Sequence, residues 1–353
     1  MLTRRSLLAA LAALPLTTGA RSKASLPTID SVELTVVADG TVVGGFGTAF
    51  ATDGFAVKPP SRLASYRDTF KAEWGYSVLA RAQVGGADRR VLVDFGYSPE
   101  IFANNARLLG IDTATIDAMV LSHGHRDHYG GLEALVASRS IRHGTPIYVG
   151  GEEIFCERLR GTVPDAPAFG RIDRAAVERA GANWLVSNEP QPLAGIGFTT
   201  GAIPFVSPER PKVPTMMVPG QGCALERLPE DRRLPEPRVD DAQHELGTAF
   251  AIRGRGLVVI GSCSHRGIIN TVRQAQAVSG EQRIFAIVGG FHLVAPQTEA
   301  QALETVDLMK ALDPAWVVPG HCSGESFIAA ATAAMPGRVH RAPVGTKLVF
   351  GKI

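Results

Sequence analysis

Within six residues, His123-Gly124-His125-Arg126-Asp127-His128 places three imidazoles and a carboxylate directly after the apolar run 117–122 (DAMVLS). Groups at that spacing cannot share one face of a helix or strand, because those faces repeat every 3.6 and every 2 residues. A turn at the end of a buried strand can gather them, and open α/β sheets keep their sites beyond strand ends. Neutral imidazole is the common ligand of zinc-like ions, and a carboxylate can bind a second ion or polarise bound water. The flanks agree: residues 117–122 read as a buried strand, and Gly130-Gly131 opens a helix over 132–138. A His-rich surface loop, the plainer alternative, would not sit between an apolar strand and a helix start.

The strand–helix rhythm continues on both sides. Residues 32–37 and 78–84 read as strands, 90–96 (RVLVDFG) as a short buried strand carrying Asp94, and 99–109 as a helix stopped by Gly110. Farther on, 257–260, 284–288 and 316–318 read as strands, with helices over 268–278 and 298–312. Each of these three strands ends within a few residues of a histidine, His265, His292 or His321. Six of the nine histidines fall in the cluster or at these strand ends, and His244 precedes the apparent hairpin 249–260, so only His143 and His340 stand apart. Residues 150–243, rich in Pro, Arg and Glu, read as a loop-rich insert covering the site.

A chain of 353 residues that is 45% hydrophobic can bury a sizeable core, and its 38 Gly and 23 Pro suit a loop-rich α/β fold better than a helical bundle. Setting Arg4 and Arg5 aside leaves 34 basic against 34 acidic residues. Without a basic run there is no electrostatic footprint for nucleic acid, so the expected partner is a small-molecule substrate. The opening MLTRRSLLAALAALPLTTGA sets two arginines before a short apolar stretch and then small residues, the layout of a secretory signal. Thr3-Arg4-Arg5-Ser6-Leu7-Leu8 resembles the twin-arginine motif, so residues 1–24 are expected to direct export to the periplasm. No later run is long and apolar enough to span a bilayer, so stable membrane insertion is not expected. Cys156, Cys223, Cys263 and Cys322 allow three pairings, and the sequence does not choose.

HGHRDH after VLS, followed by YGGL, resembles the His-x-His-x-Asp-His signature of the metallo-β-lactamase superfamily. GLVVIGSCSHRGIINTV, AIVGGFHL and VVPGHCSG resemble blocks of its branch that includes dihydropterin-ribofuranosyl-aminobenzene-phosphate synthase. The resemblance implies an α/β, four-layer αββα sandwich over 25–353, with Asp94 supporting the histidine turn. It implies a first metal on His123, His125 and a later histidine, and a second on Asp127, His128 and the last histidine, His321. His244, before the hairpin 249–260, stands where members often place a ligand, beside Glu245. Where most members carry a bridging aspartate, this chain has Gly261-Ser262-Cys263. Cys263 is therefore a candidate ligand, since thiolate binds zinc strongly. His265 and His292 are expected to contact substrate or metal, in a catalytic or binding role, with Asp127 orienting the nucleophile or taking its proton. The cofactor expected is zinc, one or two ions, with iron or manganese as alternatives. The reaction expected is hydrolysis of a small ester, lactone, amide or phosphoester by metal-bound hydroxide. The alternatives are an oxygenase or a synthase on the same fold, or a binding protein.

Overall fold

Alternation along single strands fixes the layering. In Ser31–Ala38, Val32, Leu34 and Val36 join one apolar layer while Val37 joins another; in Ala87–Val93, Val91 and Val93 part from Leu92 in the same way. Strand Gly256–Gly261 does likewise, with Val258 and Ile260 on one side and Leu257 and Val259 on the other. Strands that bury both faces need cover on both, and a period of 2 supplies it. The computed structural model describes residues 26–43, 47–210 and 212–352, so the expected export signal lies outside the described residues.

One sheet has nine strands, in the order Ala182–Val186, Thr145–Val149, Ala118–Val120, Ala87–Val93, Ser77–Val84, Ser31–Ala38, Lys347–Gly351, Phe55–Lys58, Phe50–Thr52. A seven-stranded sheet runs Pro192–Leu193, Gly197–Thr199, Thr248–Ile252, Gly256–Gly261, Ile284–Gly289, Trp316–Pro319, with Thr28–Ile29 paired beside Thr248–Ile252. The shared apolar layer lies between the two sheets. Pro99–Leu108 and Leu132–Ser138 cover the outer face of the first, and Ile268–Ser279, Glu299–Leu312 and Glu325–Ala334 that of the second. This is the expected αββα sandwich. Its parallel strands Ala87–Val93, Ala118–Val120 and Thr145–Val149, and Gly256–Gly261, Ile284–Gly289 and Trp316–Pro319, send their following loops to the site.

Residues 150–243 are more ordered than the loop-rich insert expected. Glu157–Arg160, Ala168–Gly170, Thr215–Val218 and Arg238–Val239 form a four-stranded antiparallel sheet. Ala182–Val186, Pro192–Leu193 and Gly197–Thr199 extend the two main sheets. These strands are short and mixed in polarity, as in ERLR, so they carry little periodic signal. Wholly buried Arg158 ties the small sheet down through Asp240 at 3.0 Å and the carbonyls of Glu153, Ile154 and Cys156. Cys156 and Cys223 form a disulfide across a separation of 67 residues, which settles the pairing the sequence left open. Closing a loop of that size removes roughly 4 kcal/mol of unfolded-chain entropy. Cys223→Ser should therefore lower the unfolding free energy by about 2–4 kcal/mol in denaturant titrations, while an unchanged midpoint would show that the link adds nothing.

Candidate metal centre

The histidine cluster occupies the turn between Ala118–Val120 and the short helix Arg126–Tyr129. His123 leaves the strand, His125 precedes the helix, and Asp127 and His128 lie within it. Glycine is required at 124, where a Cβ would come within 2.6 Å of Ile154 O and 2.7 Å of Arg158 Nη1. Asp94, in the left-handed region at φ 56°, fixes the turn from below. Its Oδ1 accepts the Ser122 N–H at 2.7 Å, and its Oδ2 accepts the Ser122 hydroxyl at 2.7 Å and faces His128 Nδ1 at 2.8 Å. Ser264, His292 and His321 also take positive φ, at 59°, 45° and 45°. Such conformations cost about 1–3 kcal/mol each and gather where a site holds side chains against local preference.

These contacts determine which nitrogens remain available. His123 Nδ1 meets Ser122 Oγ at 2.9 Å, leaving Nε2 buried without a partner. His125 Nε2 pairs with Thr215 Oγ1 at 3.0 Å, leaving Nδ1 as its other nitrogen. His128 Nε2 faces His321 Nε2 at 3.2 Å, and Asp127 Oδ2 lies 3.5 Å from His321 Nε2. Both nitrogens of His265, and Nδ1 of His292 and His321, are buried and unpartnered. An unmet buried polar atom costs about 1–3 kcal/mol, so this concentration calls for a ligand. Donor atoms of His123, His125 and His265 lie within 4.8 Å of one another, and so do those of Asp127, His128 and His321. Cys263 joins His123 and His128 in one such group and His265 and His292 in another. Imidazole, carboxylate and thiolate at this density fit one or two transition-metal ions.

Eight of the nine residues expected at the site converge here, and His244 is the exception. Its Nε2 accepts the Gly124 N–H at 3.1 Å and stands 3.1 Å from Arg158 Nη2, so it braces the turn from behind. His265, expected to contact substrate or metal, closes a triangle with His123 and His125. Of three further supports, Glu245, Asp39 and Cys322, only Asp39 went unread in the sequence. Glu245 accepts the N–H groups of His265 and Arg266 at 2.8 and 2.6 Å. Asp39 accepts the His321 N–H at 2.6 Å, and Cys322 Sγ lies 3.2 Å from Cys263 Sγ. A cleft of about 420 Å³ opens over Asp127, Cys263, His265 and His292, rimmed by Trp74, Tyr97, Arg160 and Phe169.

Burial holds His123, His265 and His292 below the ordinary histidine value, which keeps their rings neutral and able to bind metal. Burial also pushes Asp127 up, but His128 and His321 outweigh it and hold the carboxyl below its usual range. His321 is pushed down by burial yet raised well above by Cys322 and Asp127, and burial lifts Glu245 to about 7. The metal-free protein should therefore lose stability as pH falls below about 6.5, where the unfolded chain takes up protons at five histidines, His123, His244, His265, His292 and His340, that burial holds below the ordinary value in the folded chain. Glu245 acts oppositely between about 4.5 and 7 and offsets one of the five, while the His321 contribution changes only above about 6.5. Urea unfolding at pH 6.5 and 5.5 checks the sign; greater stability at 5.5 would be the wrong result.

Residues 75–177 match the family model described as Metallo-beta-lactamase superfamily. The 7,8-dihydropterin-6-methyl-4-(beta-D-ribofuranosyl)-aminobenzene-5'-phosphate synthase of Methanocaldococcus jannaschii is 30% identical over 264 residues, 74% of this chain and 84% of that protein. An uncharacterized protein of the same organism is 26% identical over 257 residues, 72% of this chain and 86% of its own length. A solved structure named a metal-dependent hydrolase of the beta-lactamase superfamily shares the fold at a TM-score of 0.65 and 24% identity, over 90% of this chain and 98% of that one.

Proposed function

The chain belongs to the metallo-β-lactamase superfamily of metal-dependent enzymes, and we propose that it is a hydrolase of a small ester, lactone, amide or phosphoester. One observation carries the reading: two donor groups, His123/His125/His265 and Asp127/His128/His321, meet beneath one open cleft whose lining includes Asp127. Zinc held there, or iron or manganese, would acidify water and polarise the bond to be cleaved.

The protein's own groups do the rest. Asp127, ionised and held beside His128 and His321, orients the attacking water and receives its proton. His292, with Nδ1 unpartnered on the cleft wall, holds the substrate or passes a proton to the leaving group. Asp94 and Ser122 fix the rings of His128 and His123, and Glu245 fixes the loop that presents His265. Trp74 and Phe169 give the cleft an apolar rim.

The name of the synthase relative favours a second reading, group transfer at the same centre. A panel of chromogenic esters, lactones, phosphodiesters and a cephalosporin, assayed with zinc-, manganese- and iron-loaded protein, separates the two. Metal-dependent turnover of any member supports hydrolysis, and inertness toward all of them supports transfer. We also propose export by the twin-arginine route. Replacing Arg4 and Arg5 by lysine should leave unprocessed precursor in the cytoplasm, whereas normal processing would point to general secretion.

A further inference from the structure

We propose that Cys263 and Cys322 act together as a two-thiolate clasp for a soft transition-metal ion, with the His321 imidazole as third donor. The proposal rests on the metal-centre reading above and deepens it, because it replaces the bridging carboxylate with sulfur from two separate strand ends. Cys263 follows Gly256–Gly261 and Cys322 follows Trp316–Pro319, strands that flank Ile284–Gly289 in the second sheet. Their Sγ atoms lie 3.2 Å apart, and neither is in a disulfide. Donor atoms of Cys263, His321 and Cys322 fall within 4.8 Å of one another, and His321 Nδ1 is buried without a partner.

Magnitudes separate this reading from two plainer ones. Zinc–sulfur bonds of about 2.3 Å at a tetrahedral angle hold two sulfurs about 3.8 Å apart, whereas a disulfide needs about 2.05 Å. From 3.2 Å, opening to take a metal is the smaller movement of the two. Apolar packing is the other plain reading, and it fits Cys156 and Cys223, which lie within a core layer. Cys263 and Cys322 belong to no such layer and instead line the cleft with Asp127, His265 and His292. The backbone makes room for this sulfur. A Cβ at Gly290 would come within 2.8 Å of Cys322 Sγ, and the His292 N–H points at that same sulfur from 3.3 Å. Two thiolates shift preference toward zinc, cadmium or copper(I) and away from manganese or magnesium.

Cobalt(II) is a suitable probe, added to the full chain without oxygen after mild reduction that spares Cys156–Cys223. Bound cobalt gives visible d–d bands with any donor set, and thiolate donors add a near-ultraviolet charge-transfer band. The wild type should show that band at about twice the intensity of Cys263→Ser or Cys322→Ser, and the double variant should lack it. On the wild type itself, cobalt should protect both thiols from alkylation, which checks the proposal should a variant fail to fold. A full-strength band in Cys322→Ser, d–d bands alone in the wild type, or recovery of the pair as a disulfide would each overturn it. Absence of all cobalt bands would instead remove the metal centre itself, and the clasp with it.

Discussion

Asp127→Asn is expected to lower turnover of the best substrate by about 10²–10⁴-fold, the range lost with a positioned general base. Asn keeps the shape of the side chain and can still reach His321 Nε2, which Asp127 Oδ2 approaches to 3.5 Å. It loses the negative charge that stands beside two imidazoles and the capacity to accept a proton. The neighbouring His128 and His321 hold the carboxyl below its usual range, so it is ionised at neutral pH but weakly basic. Orientation of water should then outweigh proton removal, placing the loss toward the lower end of that range. The split between kcat and KM is the informative readout: a role in the reacting step lowers kcat, whereas a role in substrate binding alone raises KM. Wild-type turnover by a well-folded Asp127→Asn would remove this residue from the mechanism.

Asp94→Ala should be the most damaging single change outside the cluster. The residue is fully buried and serves the Ser122 N–H, the Ser122 hydroxyl and His128 Nδ1. Truncation strands three buried polar groups at about 1–3 kcal/mol each, and because they share one network a total of about 3–5 kcal/mol is expected. His128 also loses the partner that fixes its ring, and removal of such supports typically weakens metal affinity about 10–100-fold. Denaturant titration and zinc competition read the two effects separately. Asp94→Asn, which keeps an acceptor for Ser122, should recover part of the stability and less of the affinity. If Asp94→Ala binds zinc as the wild type does, the turn is held by something other than this carboxylate.

Local patterns made much of this legible. The apolar patterns in 78–84, 90–96 and 257–260 mark strands, and the spacing of HGHRDH needs only a turn to become a site. Long-range register was not legible. His244 and His265 both lie near strands of the second sheet, and what separates them is a hydrogen bond to Gly124, 120 residues from His244. Asp39 reaches the His321 N–H across 282 residues, and no local sequence signal marks it. Cys322 was visible only as the neighbour of His321. Its meaning depends on the parallel order that brings the ends of Gly256–Gly261 and Trp316–Pro319 to either side of Ile284–Gly289. The four-stranded sheet escaped because ERLR and its partners bury charge through Arg158 and Asp240 rather than through apolar alternation.

Catalysis by this centre should depend on metal held by the cluster at His123–His128. The most direct measurement is elemental analysis of the purified protein before and after chelation, with the best panel substrate assayed at each stage and after readdition of zinc. The expected result is one or two equivalents of a transition metal, activity lost with the metal and regained with it, and failure of His123→Ala to regain either. A preparation free of metal that turns over at the full rate would contradict it.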